Sequence, residues 1–397
     1  VSRSIFGYFG GNILRIKEVI PLVLVAWLFF VVPCSVCAAS DCCITDDVGN
    51  LEISPDDLGG AGLAEAIGSS LRFLRRQPAS RVYRFCDREY GAGELADSLT
   101  DFLAFAGQKF QAGQFERQFK ERFDICAASS PEGDGKVLVT GYFEPLLEGS
   151  LRKEAPFIYP LYGKPDDLLK RDGLVGRLQD GSFVSYWTRA QIENEEVLAG
   201  REVVFLDDPV EAFILHVQGS GRIRLRDGKI RRIQFAAKNG LPYRSIGKLL
   251  VEQGKMELTK VSLPAIVSYL NSYPEERQEI LQYNQSFIFF RWGDDEASGP
   301  LGRLGEPLTA GRSIALDHSC FPSGGLGFLQ TRKPIFNEAN DIIGWAPLRR
   351  FVVNQDSGSA IKGERRVDLF LGAGKQARTT AGLMKHPGKL YFLIKKK

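Results

Sequence analysis

Histidine is scarce in this chain: its 397 residues include three, His216, His318 and His386, scattered and without HExxH spacing. A zinc site needs several such ligands at short intervals, so metal chemistry has little support and no metal or cofactor is expected. Each lone histidine reads as structural, since nothing nearby completes a ligand set. The pair Cys34-x-x-Cys37 falls within an N-terminal apolar stretch rather than beside a second such pair. An excess of one charge is lacking too: 51 Lys and Arg stand against 48 Asp and Glu, a formal net of +3. A near-neutral chain offers no electrostatic argument for nucleic acid, whose binding rests on neutralised phosphates. No internal repeat or sustained low-complexity tract is visible. Gln218-Gly219-Ser220-Gly221 lacks the strand-to-helix context of a serine nucleophile elbow, and a strand and hairpin follow it rather than the helix start of a phosphate loop.

What is present begins with an apolar run from Val19 to Val32, preceded by Arg3, Arg15 and Lys17 and followed by Ala38-Ala39-Ser40. The run is short for a bilayer span, and its flanks predict a cleaved export signal over 1–39. Cleavage there leaves 397 − 39 = 358 residues, a length suited to about two domains. Acylation of Cys34 or Cys37 is the alternative, a lipid anchor to the outer membrane, although neither cysteine has the usual Leu at −3 with a small residue at −1. Cys42, Cys43, Cys86, Cys126 and Cys320 would remain after cleavage. An oxidising compartment would pair some of them, Cys86 with Cys126 being one expectation.

Residues 40–58 mix Asp, Gly, Ser and Pro and read as a loop or linker. Apolar residues recur at helical spacing over 63–76 and 99–123, with Phe115, Phe119 and Phe123 on one core-facing stripe. Beyond Pro131 the texture predicts short strands with glycine turns, including Phe213 to Val217 and a hairpin about Asp227-Gly228. Helices are expected near 245–257 and 262–283, with Pro264 in the first turn of the second and Pro274 breaking it. Beyond Gly299 short β segments return, ending on Leu390 to Ile394.

Three aspartates carry the chemistry. Asp356 and Asp368 stand 368 − 356 = 12 residues apart, amid glycines and hydroxyl residues that let a substrate approach the backbone. Asp317 lies upstream, and both it and Asp368 sit in apolar, strand-like runs where a carboxylate tolerates burial only by pairing, hydrogen bonding or a raised pKa. Glycosidic cleavage needs such acids, and crowding of like charges would keep one protonated near neutral pH. Turn and capping roles are the competing explanation for the same aspartates. Aromatics beside polar groups, in Thr140-Gly-Tyr-Phe-Glu-Pro145 and Asn284-Gln-Ser-Phe287, offer faces on which a sugar could stack.

Taken together, Thr140-Gly-Tyr-Phe-Glu-Pro145, His216-Val-Gln-Gly-Ser-Gly221, Tyr243-Arg-Ser-Ile-Gly247, Asn284-Gln-Ser286, Gln355-Asp-Ser-Gly358 and Val367-Asp368 make the chain, from about residue 60 onward, resemble the membrane-bound lytic murein transglycosylase A family. The resemblance implies a mainly β fold with α: a double-psi β-barrel domain with an N-terminal helical part, and an inserted second β-barrel-like domain. The implied division is signal peptide 1–39, N-terminal barrel part 40–144, insert 145–298 and C-terminal three-aspartate part 299–397. It implies cleavage of the MurNAc-GlcNAc β-1,4 bond of peptidoglycan with formation of 1,6-anhydro-MurNAc. Asp368 matches the family's general acid and base, Asp356 and Asp317 its other two aspartates, and Thr140, Tyr142, Gln218 and Gly219 segments facing the groove between domains. Ser357 and Ser359 stand where Thr and Gly are commoner, and Ser359 adds a side chain near the acids. The implied partners are peptidoglycan glycan strands and, beside them, cell-wall synthesis or hydrolysis complexes. The rivals are an inverting glycoside hydrolase with Asp356 as base, and a non-catalytic cell-wall binding protein.

Overall fold

The computed structural model describes residues 43–44, 51, 53, 56–85, 88–111, 113–128, 135–339, 341–358 and 360–397. The expected signal and anchor segment, Cys42, Cys86 and Ser359 lie outside the described residues.

The N-terminal helices are amphipathic, and they pack on the barrel that follows. Leu63–Arg75 buries Leu63, Ala66, Ile67, Leu71 and Leu74, and Ala92–Ala106 buries Leu95, Leu99, Phe102 and Phe105. The single helix expected over 99–123 is two. The first ends at Gly107, a second runs Gln114–Arg122, and Phe123 opens the strand Phe123–Ala128. The phenylalanine stripe nevertheless faces the core as expected: Phe119 and Phe123 are buried, with ring centroids 4.9 Å apart.

Six strands close a barrel. Around it they run Lys385–Lys395, Leu326–Phe336, Ile342–Asp356, Ser313–Ala315, Arg366–Ala373 and Val137–Glu144, and the last pairs back onto the first. Ser313–Ala315 is parallel to Ile342–Asp356, and Arg366–Ala373 is parallel to Val137–Glu144. This is the mainly β barrel architecture anticipated, although its C-terminal strands are long rather than short. The hairpin of Leu326–Phe336 and Ile342–Asp356 spans 11 and 15 residues.

Between Glu144 and Ser298 the chain builds a second sheet. Its order is Ile288–Trp292, Ile230–Lys238, Ser220–Leu225, Leu146–Ser150, Glu202–Leu206, Tyr159–Tyr162. A bridge between Gly163 and Phe290 brings its two ends together, which makes it barrel-like. The Asp227-Gly228 hairpin forms as expected. Ser245 and Ser262 cap Ile246–Glu252 and Leu263–Ser272, and Pro274 starts a new helix, Pro274–Tyr283.

One element reverses its expectation. Phe213 to Val217 is not a strand but part of the helix Pro209–Gln218, which Asp208 caps by accepting from the Val210 and Glu211 amides. Pro209 preorganises its first turn, and Gly219, at φ 83°, ends it in the left-handed conformation. The segment 40–58 is also more than a linker where it is described. Ile53 is buried, Asp56 pairs with the fully buried Arg312, and Asp57 pairs with Arg350.

Candidate active site

Strand register gathers the acids. Ala315 pairs in parallel with Asp356 on one side and antiparallel with Asp368 on the other. Asp368 lies opposite Thr140, which lies opposite Lys385. Strands stand about 4.8 Å apart, so the backbones of Asp356 and Asp368 are separated by about 10 Å. The register of Ile342–Asp356 slips by one residue between Asn354 and Asp356, a bulge of the kind that re-aims a side chain. Gln355, the extra residue, accepts from Ser313 Oγ at 2.6 Å and donates to the Ala66 carbonyl at 2.7 Å, tying the site to the first helix.

The three aspartates live under different conditions. Asp317, 6% exposed, accepts from the Ser319 amide and hydroxyl and from the Gly363 amide at 2.7–3.0 Å. Burial pushes its pKa up, but those hydrogen bonds and the nearby Lys362 push it down further, to below the usual aspartate value. It therefore pins the loop joining Asp356 to Asp368. Asp356 is also bound through both oxygens, by the Tyr142 hydroxyl at 2.9 Å and the Arg303 amide at 3.0 Å. Burial raises its pKa, the Ser357, Tyr142 and Arg303 donors lower it, the charge of Asp368 raises it again, and the balance falls at about 6.

Asp368 differs from both. Its Oδ1 accepts from the Thr140 hydroxyl and, at 3.3 Å, from Arg366 Nε. Among the described residues no donor reaches Oδ2. Burial raises its pKa, and Arg366 opposes that shift without reversing it. Burial, rather than the expected crowding of like charges, is the main reason the pKa of each of these two carboxyls is raised.

Other expected site residues gather here. The Tyr142 ring packs 5.3 Å from Phe370, and burial with the two nearby carboxylates drives its hydroxyl pKa well up, so it remains a donor. Gly141 between Thr140 and Tyr142 is required by close approach: a Cβ there would lie 2.6 Å from Leu371 and 3.1 Å from the Ala381 backbone. Gln218 reaches across from the second sheet region, its Oε1 accepting from the Phe143 amide at 3.1 Å. Gly219 adjoins it, with open space where a side chain would stand.

The segment 284–287 does not present a sugar platform. Asn284, Ser286 and Phe287 are buried, and Phe287 packs 4.3 Å from the His216 ring. His216 accepts from the Ile288 amide through Nδ1, and burial together with Arg189 holds its pKa well below the ordinary value. Among the described residues no three His, Cys, Asp or Glu side chains gather to hold a metal ion. Cys126 and Cys320 are both disulfide-bonded.

Sequence reasoning overlooked Arg366. Its signal was its place two residues before Asp368 in a strand, which puts both side chains on one face. Tyr243, quoted within a motif but given no role, lies close enough to Arg366 for that charge to affect its hydroxyl.

The chain matches known proteins. A family model described as the MltA specific insert domain matches residues 138–291, and one described as the 3D domain matches residues 312–394. The chain is 34% identical over 278 residues to membrane-bound lytic murein transglycosylase A of Vibrio cholerae, covering 68% of this chain and 70% of the relative. Its Escherichia coli K12 counterpart is 32% identical over 342 residues, covering 85% and 84%. Among solved structures, a membrane-bound lytic murein transglycosylase from Agrobacterium tumefaciens aligns with TM-score 0.72 and 28% identity, over 89% of this chain and 97% of that one. Escherichia coli MltA with bound chitohexaose aligns with TM-score 0.68 and 25% identity, over 90% and 97%.

Proposed function

The chain belongs to the membrane-bound lytic murein transglycosylase A family, and from that premise we propose that Asp368 serves as its single acid and base. The protein is a lytic transglycosylase whose substrate is peptidoglycan. One observation carries the assignment: both oxygens of Asp317 and Asp356 are bound by protein donors, whereas Asp368 keeps Oδ2 open and is held toward the protonated form.

In this reading the protonated Asp368 gives its proton to the glycosidic oxygen between MurNAc and GlcNAc. The C1–O bond breaks, and positive charge develops at C1. The MurNAc C6 hydroxyl oxygen then bonds to C1 while its proton passes to the Asp368 carboxylate. The product is 1,6-anhydro-MurNAc, the acid is restored and no water is consumed. The nucleophile belongs to the same sugar, so its effective concentration is high. Asp356, tied to Tyr142 and Arg303, supports the site rather than activating water, which disfavours the hydrolase alternative.

The division into barrel parts 40–144 and 299–397 with an insert at 145–298 is consistent with the second sheet, whose strands run from Leu146 to Trp292. We place the glycan strand in the groove where Gln218 meets the Phe143 amide, next in sequence to Tyr142. This substrate lies outside the cytoplasmic membrane, so we place the mature chain in the periplasm, attached to the outer membrane if Cys34 or Cys37 is acylated. No helix among the described residues is long and apolar enough to cross a membrane.

Asp368→Asn tests the assignment. It should still sediment with purified sacculi while losing about 10²–10⁴-fold in cleavage rate, the usual scale of a lost general acid. Retained cleavage would move the acid elsewhere.

A further inference from the structure

We propose that Arg366 and Thr140 are positioning residues that hold Asp368 by Oδ1 and so present Oδ2, the oxygen that gives and takes the proton, to the glycan. This rests on Asp368 being the acid. Arg366, Asp368 and Thr140 form a closed triangle. Thr140 Oγ1 donates to Asp368 Oδ1, Arg366 Nε donates to the same oxygen at 3.3 Å, and Arg366 Nη2 donates to Thr140 Oγ1 at 3.3 Å. A hydroxyl that accepts from Arg366 has its own proton directed at Oδ1. An oxygen already accepting two hydrogen bonds is not where a carboxyl keeps its proton, so the proton resides on Oδ2.

The backbone enforces the triangle. Arg366 and Asp368 share one strand face, the buried Val367 between them points into the core, and the parallel register sets Thr140 directly opposite Asp368. Arg366 is 34% exposed and Asp368 18%, so the pair lies at the wall of the site rather than in the solvent.

Other charged and titratable groups surround it on the packed elements. Asp356 lies two strands away and Tyr142 two residues beyond Thr140, with Lys385 opposite Thr140 and Tyr243 near Arg366. On the helix Lys375–Leu383, which packs on the Thr140 strand, Arg378 is engaged by both oxygens of Glu211 and Lys375 is exposed. Among the described residues Arg366 is the one cation within hydrogen-bond reach of Asp368.

A single carboxyl that must be acid and then base needs both forms within reach. Burial favours the protonated form and Arg366 the carboxylate, so the two influences oppose each other at one group.

The test uses the mature full chain on purified sacculi, with kcat and KM followed against pH for wild type, Arg366→Gln, Arg366→Lys and Thr140→Val. Removing the guanidinium takes away a charge that favours the carboxylate, so in Arg366→Gln the alkaline limb of kcat moves to higher pH. Its kcat should fall about a hundredfold with KM within about twofold of wild type, as expected when a reacting group loses its orientation. Arg366→Lys should restore the limb but not the rate, because a flexible ammonium lacks the rigid planar fork that fixes Asp368 Oδ1 and Thr140 Oγ1 in one geometry. Thr140→Val should lower kcat while leaving the limb nearly in place.

Wild-type kcat and pH dependence in Arg366→Gln would overturn the proposal, as would a raised KM with unchanged kcat, which would make Arg366 a substrate contact. Should Arg366→Gln fail to fold, Arg366→Lys and Thr140→Val still decide the matter: full kcat in both contradicts the proposal. If wild type releases no anhydro-muropeptides, the function beneath the proposal fails; if it does release them and the variants match it, only the positioning role falls.

Discussion

Asp317 and Asp368 carry the same carboxyl group under opposite conditions, one held as an anion by three donors and the other shifted toward its acid form by burial. The difference assigns them different work. Asp317 contributes to stability. Its folded-state pKa lies below the ordinary 3.8, so the ionised form favours the folded chain; this contribution is complete above the unfolded value and is lost as pH falls through the folded one. Asp317→Ala leaves the Gly363 amide and the Ser319 hydroxyl without their acceptor, and should cost about 1–3 kcal/mol at neutral pH. Urea unfolding checks this: the gap between wild type and variant should be wide at neutral pH and narrow below pH of about 4. Equal midpoints at neutral pH would contradict it. The three aspartates stood out in the residues themselves, from glycine neighbours and apolar runs. That Asp317 is a loop pin depended on the Gly363 amide, 46 positions away, a contact no local pattern encodes.

At the level of elements, the helix Pro209–Gln218 is instructive because it delivers Gln218 to the barrel strand carrying Tyr142. Its apolar run Phe213 to Leu215 and the glycines that follow resemble a strand entering a turn. The helical signals lay upstream, in Asp208 as cap and Pro209 in the first turn, with Gly219 as the stop. Asp208→Ala should therefore cost about 1 kcal/mol of stability, measurable as a lower denaturation midpoint, and no change at all would discount the cap. The helix Leu263–Ser272 was legible because Pro264 was read as belonging to its first turn, whereas the matching signal at Pro209 was not used. Length was misjudged in the opposite sense beyond residue 299, where the strands reach 11 and 15 residues. Small and polar residues inside them look like turns until the partner strand is known.

Across the whole molecule, distant segments are knitted into one barrel. Val137–Glu144 lies between Arg366–Ala373 and Lys385–Lys395, and Asp56 and Asp57 reach Arg312 and Arg350 from the other end of the described chain. Such closure is invisible to local periodicity, and the resemblance of ordered motifs is what made it foreseeable. The row of Asp356, Ala315, Asp368 and Thr140, to which the proposed chemistry is assigned, is a product of that closure. The central claim, intramolecular transfer with Asp368 as acid and base, is tested most directly by the mass of muropeptides released from purified sacculi in water enriched with ¹⁸O. The account predicts products one water lighter than reducing muropeptides, free of ¹⁸O at the new end, and abolished in Asp368→Asn. Reducing ends carrying ¹⁸O would contradict it.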